Sequence, residues 1–449
     1  MNILKSAFIT TYLLSITFTC FSQESTTEPA INSTINPANP AINPAKHSKA
    51  EIESIQPYSN LPLKQVSNLA KVFDLIKTHY VEEIEDDTLL KYAIEGMVEQ
   101  LDPHSAYFDS ESLQSFTEST SGKFSGLGIE ITMENGLVKV IAAMDGSPAQ
   151  QAGLQSGDLI YELDSQIVQG MSLREASEIM RGKIGSKIQL KAKRPGQKEP
   201  LTFNIIRAEI SNSSVKSFLL NNQIGYAKIS SFQSETGNDF EKAILDMQQS
   251  SDQFKAIILD LRNNPGGLLQ QAIKVSDIFL EEKLVVYTQG RSEQSKEHHY
   301  TSLNTIGKDL KVIVLINQGS ASASEIVAGA LQDHKRAVIM GQTSFGKASV
   351  QQILNLDDSS AIKLTIARYF TPLGRTIQAH GIKPDITIIP SVVSKLEDRQ
   401  YVSESQLSGH LEGDLDQSAQ ANNINNLDVL TDDYQLQQAF QLLQGALIL

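Results

Sequence analysis

From Leu63 to Gln100 apolar residues recur at three- and four-residue steps: Leu69, Val72, Phe73, Ile76 and Tyr80, then Leu89, Tyr92, Ala93 and Met97. That period predicts two amphipathic helices. Leu101-Asp102-Pro103-His104-Ser105 ends the second, because proline disfavours helical geometry in the residue before it. Residues 23 to 62 are rich in Asn, Pro, Ser, Thr and Ala, with repeats of Asn-Pro-Ala. They offer too little apolar surface to offset the entropy of ordering, so they read as a disordered linker. Beyond Ile210, apolar runs of strand length (224–229, 256–261, 284–287, 312–316 and 338–340) alternate with helical patterns at 237–249, 268–279 and 324–334. The alternation predicts an α/β core with a largely parallel sheet buried on both faces. After Pro390 the chain is polar until a short amphipathic helix at Leu436 to Leu443, and 391 to 430 reads as a tail that is mobile or ordered only on assembly.

Residues 122 to 208 form a module of their own. Phe124 to Ile131 is a glycine turn entering a strand, Leu137 to Ala142 a second strand, and Ser147 to Leu154 a short helix closed by glycine. Gly157 to Leu163 returns to strand, Leu173 to Arg181 is helical, and 187–192 with 201–206 complete a small sheet. Ser-Pro-Ala, Ala-Gly-Leu and Gly-Asp-Leu-Ile in this order resemble a PDZ domain of the bacterial exported type. The resemblance implies a groove for the end of a polypeptide, its carboxylate held by N–H groups around Gly126, Leu127, Gly128 and Ile129.

The chain has 449 residues, 40% hydrophobic and 20% charged, which allows two or three domains with sizeable interiors. A formal charge of -14 disfavours nucleic acid or anionic lipid as the main partner. Lys5 followed by the uncharged apolar stretch Ala7 to Phe21 reads as an export signal over residues 1–22, cleaved before Gln23. Cys20 is the only cysteine, so the mature chain is expected to hold no disulfide and no thiolate-bound metal. Lipidation of Cys20 is the weaker alternative, since Phe18-Thr19 makes a poor approach to a lipidated cysteine. The expected location is the periplasm of a Gram-negative bacterium, with peripheral membrane association as an extension of that reading.

The candidate chemistry lies in two segments. Val312 to Ile316 leads through a turn to Ser320-Ala-Ser-Ala-Ser-Glu325, so Ser322 falls at or just before a helix N-terminus, where free N–H groups favour a developing oxyanion. A serine cap without catalytic role is the competing account. The strand 256–261 runs into Asn263-Asn-Pro-Gly-Gly267, whose glycines allow N–H groups to converge on an anion alongside that of Ala323. Lys347 and Gln351 are four apart and are expected to share a face. A lysine serves as base only when neutral, and burial beside Phe345 and Val350 would favour that form. A surface lysine with its head in water is the alternative. No His-Glu-x-x-His, Gly-x-Ser-x-Gly or phosphate-binding loop occurs, and no cofactor or metal is expected.

Taken in order, Leu101-Asp-Pro-His-Ser-Ala-Tyr-Phe108, the PDZ-like module, Leu259 to Gly267, Asn317 to Ile326, Thr343 to Gln351 and Gly381-Ile-Lys-Pro-Asp385 resemble the carboxyl-terminal processing, or tail-specific, proteases. The resemblance covers about 63 to 390. It implies a multidomain chain: helical region 63–121, inserted PDZ domain 122–208, α/β crotonase-like serine protease core 209–390, and C-terminal tail with a short helix 391–449. In that family the base lysine lies 25 residues after the nucleophile, which selects Ser322 over Ser320 and Ser324. The resemblance further implies a Ser322/Lys347 dyad assisted by Gln351, an oxyanion hole from Gly266 or Gly267 with Ala323, and dimerisation through the helical region. The implied substrates are proteins or peptides with free C-terminal tails, with or without a delivery adaptor. Arg181, between the groove helix and a Gly182-x-x-Gly185 turn, is a candidate link between groove occupancy and the site. A catalytically inert PDZ adaptor in the cell envelope is the competing reading.

Overall fold

The computed structural model describes residues 61–144, 146–303, 305–392, 430 and 432–449. The expected signal segment, Cys20, the linker and nearly all of 391–430 lie outside the described residues. The two expected helices are present as α1 (Leu63–His79) and α2 (Asp86–Glu99), the second stopping before Pro103. The chain divides into a unit ending at Ile84 and a unit from Glu85 onward. Within the first, Lys77 Nζ donates to the Ile84 carbonyl (2.8 Å).

The second unit begins with α2 and β1 (Ala106–Phe108), followed by α3 (Ser110–Ser121), capped by the Asp109 carboxylate and closed by Gly122 at φ 72°. Next, β2 (Lys123–Gly126) leads into β3 (Ile129–Glu134), β4 (Leu137–Ala143), α4 (Pro148–Gln151), β5 (Leu159–Leu163), β6 (Gln166–Ile167), α5 (Leu173–Met180), β7 (Lys187–Lys193) and β8 (Leu201–Ile206). Strand order is β3-β4-β5-β7-β8, with β6 on β5, and the sheet closes over Val138, Val140, Ile160, Leu163, Ile188 and Leu190. The module leaves the core and returns through a two-stranded ribbon in which β2 pairs with β9 (Ala208–Ser211).

The core follows: β10 (Val215–Leu219), β11 (Ile224–Ile229), α6 (Thr236–Ser250), β12 (Ala256–Asp260), α7 (Leu269–Asp277), β13 (Leu284–Gln289) and β14 (Glu297–Tyr300). It continues with β15 (Lys311–Ile316), α8 (Ala323–Asp333), β16 (Val338–Gly341), β17 (Ser349–Asn355), β18 (Ala361–Phe370), β19 (Ile386–Thr387) and α9 (Tyr434–Ile448). The main sheet runs β10-β11-β12-β15-β16-β19, parallel except for β10. Side chains alternate between its faces. Ile257, Leu259, Val312 and Val314 join the cluster that includes residues of α6, α7 and α8, whereas Ile258, Ile313 and Leu315 meet Leu436, Ala439, Phe440 and Leu443 of α9. Burial on both faces is why these runs are continuously apolar.

One strand departs from the expectation. The run at 284–287 does not join the parallel sheet but a second, antiparallel one in the order β1-β18-β13-β14, with β17 on β18. A short apolar run specifies burial and not its neighbour, and here the long strand β18 supplies the partner. The C-terminal helix is also longer than expected, because it covers a whole sheet face.

Candidate active site

Ser322 is the N-cap of α8 and takes φ 54°, a left-handed conformation that serine seldom adopts. Its backbone N–H donates to Glu325 Oε2 (2.8 Å), three residues on. The same carboxylate, fully buried, accepts from Lys347 N–H (2.9 Å) on Oε2, and from Ser344 Oγ (2.6 Å) and Gly346 N–H (2.7 Å) on Oε1. Burial raises the Glu325 carboxyl above its ordinary range, while the hydrogen bonds from Ser344, Lys347, Gly346 and Ser322 pull it back. One side chain of α8 thus holds the segment that carries Lys347.

Lys347 lies in irregular chain just before β17, not on a strand. Its N–H and that of Gly346 point at Glu325 and so are withheld from a sheet ladder. The lysine is half-buried and its amine is pushed below the usual lysine range, first by desolvation and then by Lys363, with Asp102 and Glu325 acting the other way. Phe345 does not sit in the interior beside it: the side chain is 63% exposed, whereas Val350 packs partly buried against the core. The Tyr369 hydroxyl, buried, donates to the Lys347 carbonyl. Burial and then Glu325 make this phenol harder to ionise, and the neighbouring Ser322 hydroxyl opposes them. Among the described residues no hydrogen bond joins the Ser322 and Lys347 side chains.

The glycine loop abuts the serine. A Cβ on Gly266 would lie 2.7 Å from Ser322 Cβ and 3.0 Å from Ala323 N, and one on Gly267 would lie 2.2 Å from the Phe232 carbonyl. With φ of 101° and 142°, both positions also suit only glycine. The Gly266 N–H is engaged by Asn264 Oδ1 (2.9 Å), leaving Gly267 and Ala323, the latter at the first position of α8 where the helix offers no acceptor. Asn264, fully buried, is the joint of the two loops: its carbonyl accepts from Ala321 N–H (2.9 Å) and Ser324 Oγ (3.0 Å).

Residues 223–388 match Peptidase family S41, 139–194 a PDZ domain, and 33–112 the N-terminal domain of the activating protease CtpB. The chain is 42% identical to a carboxy-terminal-processing protease of Bartonella bacilliformis over 85% of its own length and 89% of that protein's. It belongs to the carboxy-terminal processing proteases. It is also 37% identical to the carboxy-terminal processing protease CtpB of Bacillus subtilis, over 72% of this chain and 68% of that one. A solved photosystem II D1 C-terminal processing protease is similar at 30% identity, with 72% of this chain and 88% of that one covered and a TM-score of 0.44. On the family models, the chain has the S41 peptidase fold with a PDZ domain and an N-terminal helical region.

In this processing protease the PDZ groove elements are placed as follows. Among the described residues β3 is an edge strand, paired with β4 alone. The turn before it carries Gly128 at φ 72°, where a Cβ would lie 2.4 Å from that of Ser147; the Leu127 carbonyl accepts from Ala149 N–H (3.0 Å) and that of Gly128 from Met144 N–H (2.8 Å). Gly126 stands apart from this turn, paired with Ala208 in the connecting ribbon. Arg181 caps α5 and pairs with Glu118 of α3 (3.2 Å). The residue that holds the end of the groove helix is Arg207, nearly buried, which donates to the carbonyls of Ile179 (2.8 Å) and Met180 (3.1 Å). Among the described residues no group of acidic, His or Cys side chains is arranged to hold a metal, and no helix is long and apolar enough to cross a membrane.

Residues without an assigned part in the sequence reading bear on the candidate site: Glu325, Tyr369 and Asn264 by hydrogen bonds, and Asp102 by its charge beside Lys347. Glu325 leaves a readable trace as the Ser-x-x-Glu of a capping box, while Asn264 and Asp102 lie within the Asn263 to Gly267 and Leu101 to Phe108 segments without a part of their own there.

Proposed function

We propose that this chain is an exported serine endopeptidase that engages the C-terminal tails of proteins in its PDZ groove and cuts them with Ser322 and Lys347. The observation that carries this reading is the Glu325 carboxylate, which accepts N–H bonds from both Ser322 and Lys347 and so couples nucleophile and base through one buried group. A lysine depressed by burial is available as the neutral base. It takes the Ser322 proton as Oγ attacks the peptide carbonyl, the oxyanion faces the N–H groups of Ala323 and Gly267, and the proton passes to the leaving amine. Water then cleaves the acyl ester by the same route. Gly266 contributes its lack of a side chain and not its N–H, which Asn264 occupies. Gln351 orients the lysine.

The open edge of β3 suits an added peptide strand, with the tail carboxylate at the Leu127–Ile129 turn and side chains tested against α5. Arg181, through Glu118, would report groove occupancy to α3. The leader at residues 1–22 supports export to a Gram-negative periplasm, with fractionation of tagged full-length protein as the check. Assembly through the N-terminal helices and delivery by an adaptor belong to the same proposal.

The test is cleavage of a loosely folded reporter with an apolar tail. The parent cuts it, Ser322→Ala and Lys347→Ala do not, an amidated tail slows the parent, and Arg181→Ala weakens tail-dependent stimulation. The reading this test excludes is an inert adaptor. Tail binding without cleavage by the parent would establish that reading and end the first.

A further inference from the structure

We propose that Asp102, from the Leu-Asp-Pro-His-Ser segment ahead of the PDZ domain, is a positioning residue that acts through Thr365 to orient Gln351 toward Lys347. This deepens the peptidase reading above and rests on it.

The argument is one of proton counting. Thr365 Oγ1 donates to Asp102 Oδ1 (3.2 Å), and Gln351 Nε2 approaches the same Thr365 oxygen (3.2 Å). A hydroxyl has one proton. Since Thr365 gives its proton to the carboxylate, it can only accept from Gln351, so the amide must turn its NH2 to Thr365 and leave Oε1 as the open end. An exposed carbonyl oxygen is what a lysine amine needs from this neighbour: it accepts an N–H and adds no net charge. Were the hydroxyl free to turn, the amide could reverse and present NH2 to the lysine.

Asp102 is held for this purpose from several sides. It accepts from His104 N–H (2.8 Å), Ser105 N–H (3.0 Å) and Ser105 Oγ (2.8 Å), and Ser105, buried, also receives the Thr365 N–H (3.1 Å). Burial works to raise the carboxyl, but the hydrogen bonds from Ser105, His104 and Thr365 hold it below its ordinary range and therefore ionised near neutrality. Pairing of β1 with β18, Ala106 opposite Lys363, locks the segment two residues from Thr365. A bulge between Val350 and Gln351 then sets Gln351 opposite Thr365 rather than its neighbour. The charges around Lys347 are Lys363 and His104 as cationic or neutral neighbours and Asp102 and Glu325 as anions.

The consequence has two parts that different substitutions separate. Asp102→Ala removes both the acceptor and an anion; Thr365→Val removes only the relay. In the full chain, both lower kcat/KM on the tailed reporter on the order of 10- to 100-fold, as misplacement of a reacting group does, while Thr365→Ser keeps near-parent turnover. A neutral lysine base makes the rate rise with pH through the lysine pKa, so loss of the Asp102 anion moves that rise to lower pH. Lys363→Gln moves it to higher pH, and Thr365→Val leaves the Coulombic field of Asp102 in place. The Lys347 amine is followed independently by 13Cε NMR of lysine-labelled protein, assigned with Lys347→Arg, which reads its titration whether or not the protein cleaves. Parent-like kcat/KM in Asp102→Ala, or no displacement of the Lys347 titration with Asp102→Ala, would overturn the inference. An inactive parent with the NMR displacement intact would overturn the peptidase reading alone.

Discussion

Ser322 is surrounded by backbone that tolerates no added atom. Gly267→Ala would drive a Cβ into the Phe232 carbonyl at φ 142°, moving the N–H proposed to face the oxyanion. Loss of one oxyanion donor costs about 100- to 1,000-fold in kcat, so the variant is expected to fall by that order in single-turnover cleavage while its PDZ domain still binds a tail peptide by fluorescence anisotropy. At this scale the proposed nucleophile and base come from spaced motifs, because their chemistry restricts residue type. Asp102 and Thr365 are not. They are separated from Gln351 by 249 and 14 positions, and only the strand pairing of β1 and β17 onto β18 brings the three together.

The elements are read well where burial is one-sided or continuous, and poorly where a partner decides. β11, β12, β15 and β16 announce themselves as apolar runs, whereas β17 and β18 alternate weakly and were not foreseen. The docking of α9 is likewise invisible in sequence. Arg262 explains it: its guanidinium bridges Asp260 (2.6 Å) and Asp433 (2.6 Å) and reaches Gln435 (3.0 Å), while Tyr226 donates to Asp260 (2.8 Å). Burial opposes the Arg262 charge, and the hydrogen bonds to Asp260 and Asp433 more than compensate. Arg262→Ala would strand the buried Asp260 carboxylate, a loss of about 3 to 5 kcal/mol by the usual measure of broken buried pairs, to be read from chemical denaturation. Burial works to raise the Asp433 carboxyl, but Arg262 holds it below its ordinary range. Its stabilising contribution is therefore present above the unfolded carboxylate range and disappears as pH falls through the lower folded value. Asp433→Asn should remove that part of the acid sensitivity.

For the whole molecule, α1 buries none of its side chains, and Leu63, Val66, Leu69, Val72 and Leu75 are each more than two-fifths exposed. Under the proposed assembly these residues meet a second copy. Leu69→Asp with Val72→Asp should then lower the mass seen by analytical ultracentrifugation, and an unchanged monomeric parent would contradict that part of the proposal. What the sequence by itself determined is the kind of protein: an S41 processing protease whose reactive residue types, glycine positions and buried runs are each dictated by local chemistry or by burial. What only the tertiary structure decided is how those parts act on one another. The two loops meet through Asn264, the serine and lysine segments through Glu325, and the N-terminal segment reaches Gln351 through Thr365. Apart from the local Ser322–Glu325 bond, these are hydrogen bonds between residues far apart along the chain. Periodicity and composition carry information about which face is buried, but none about which polar group a buried donor will find.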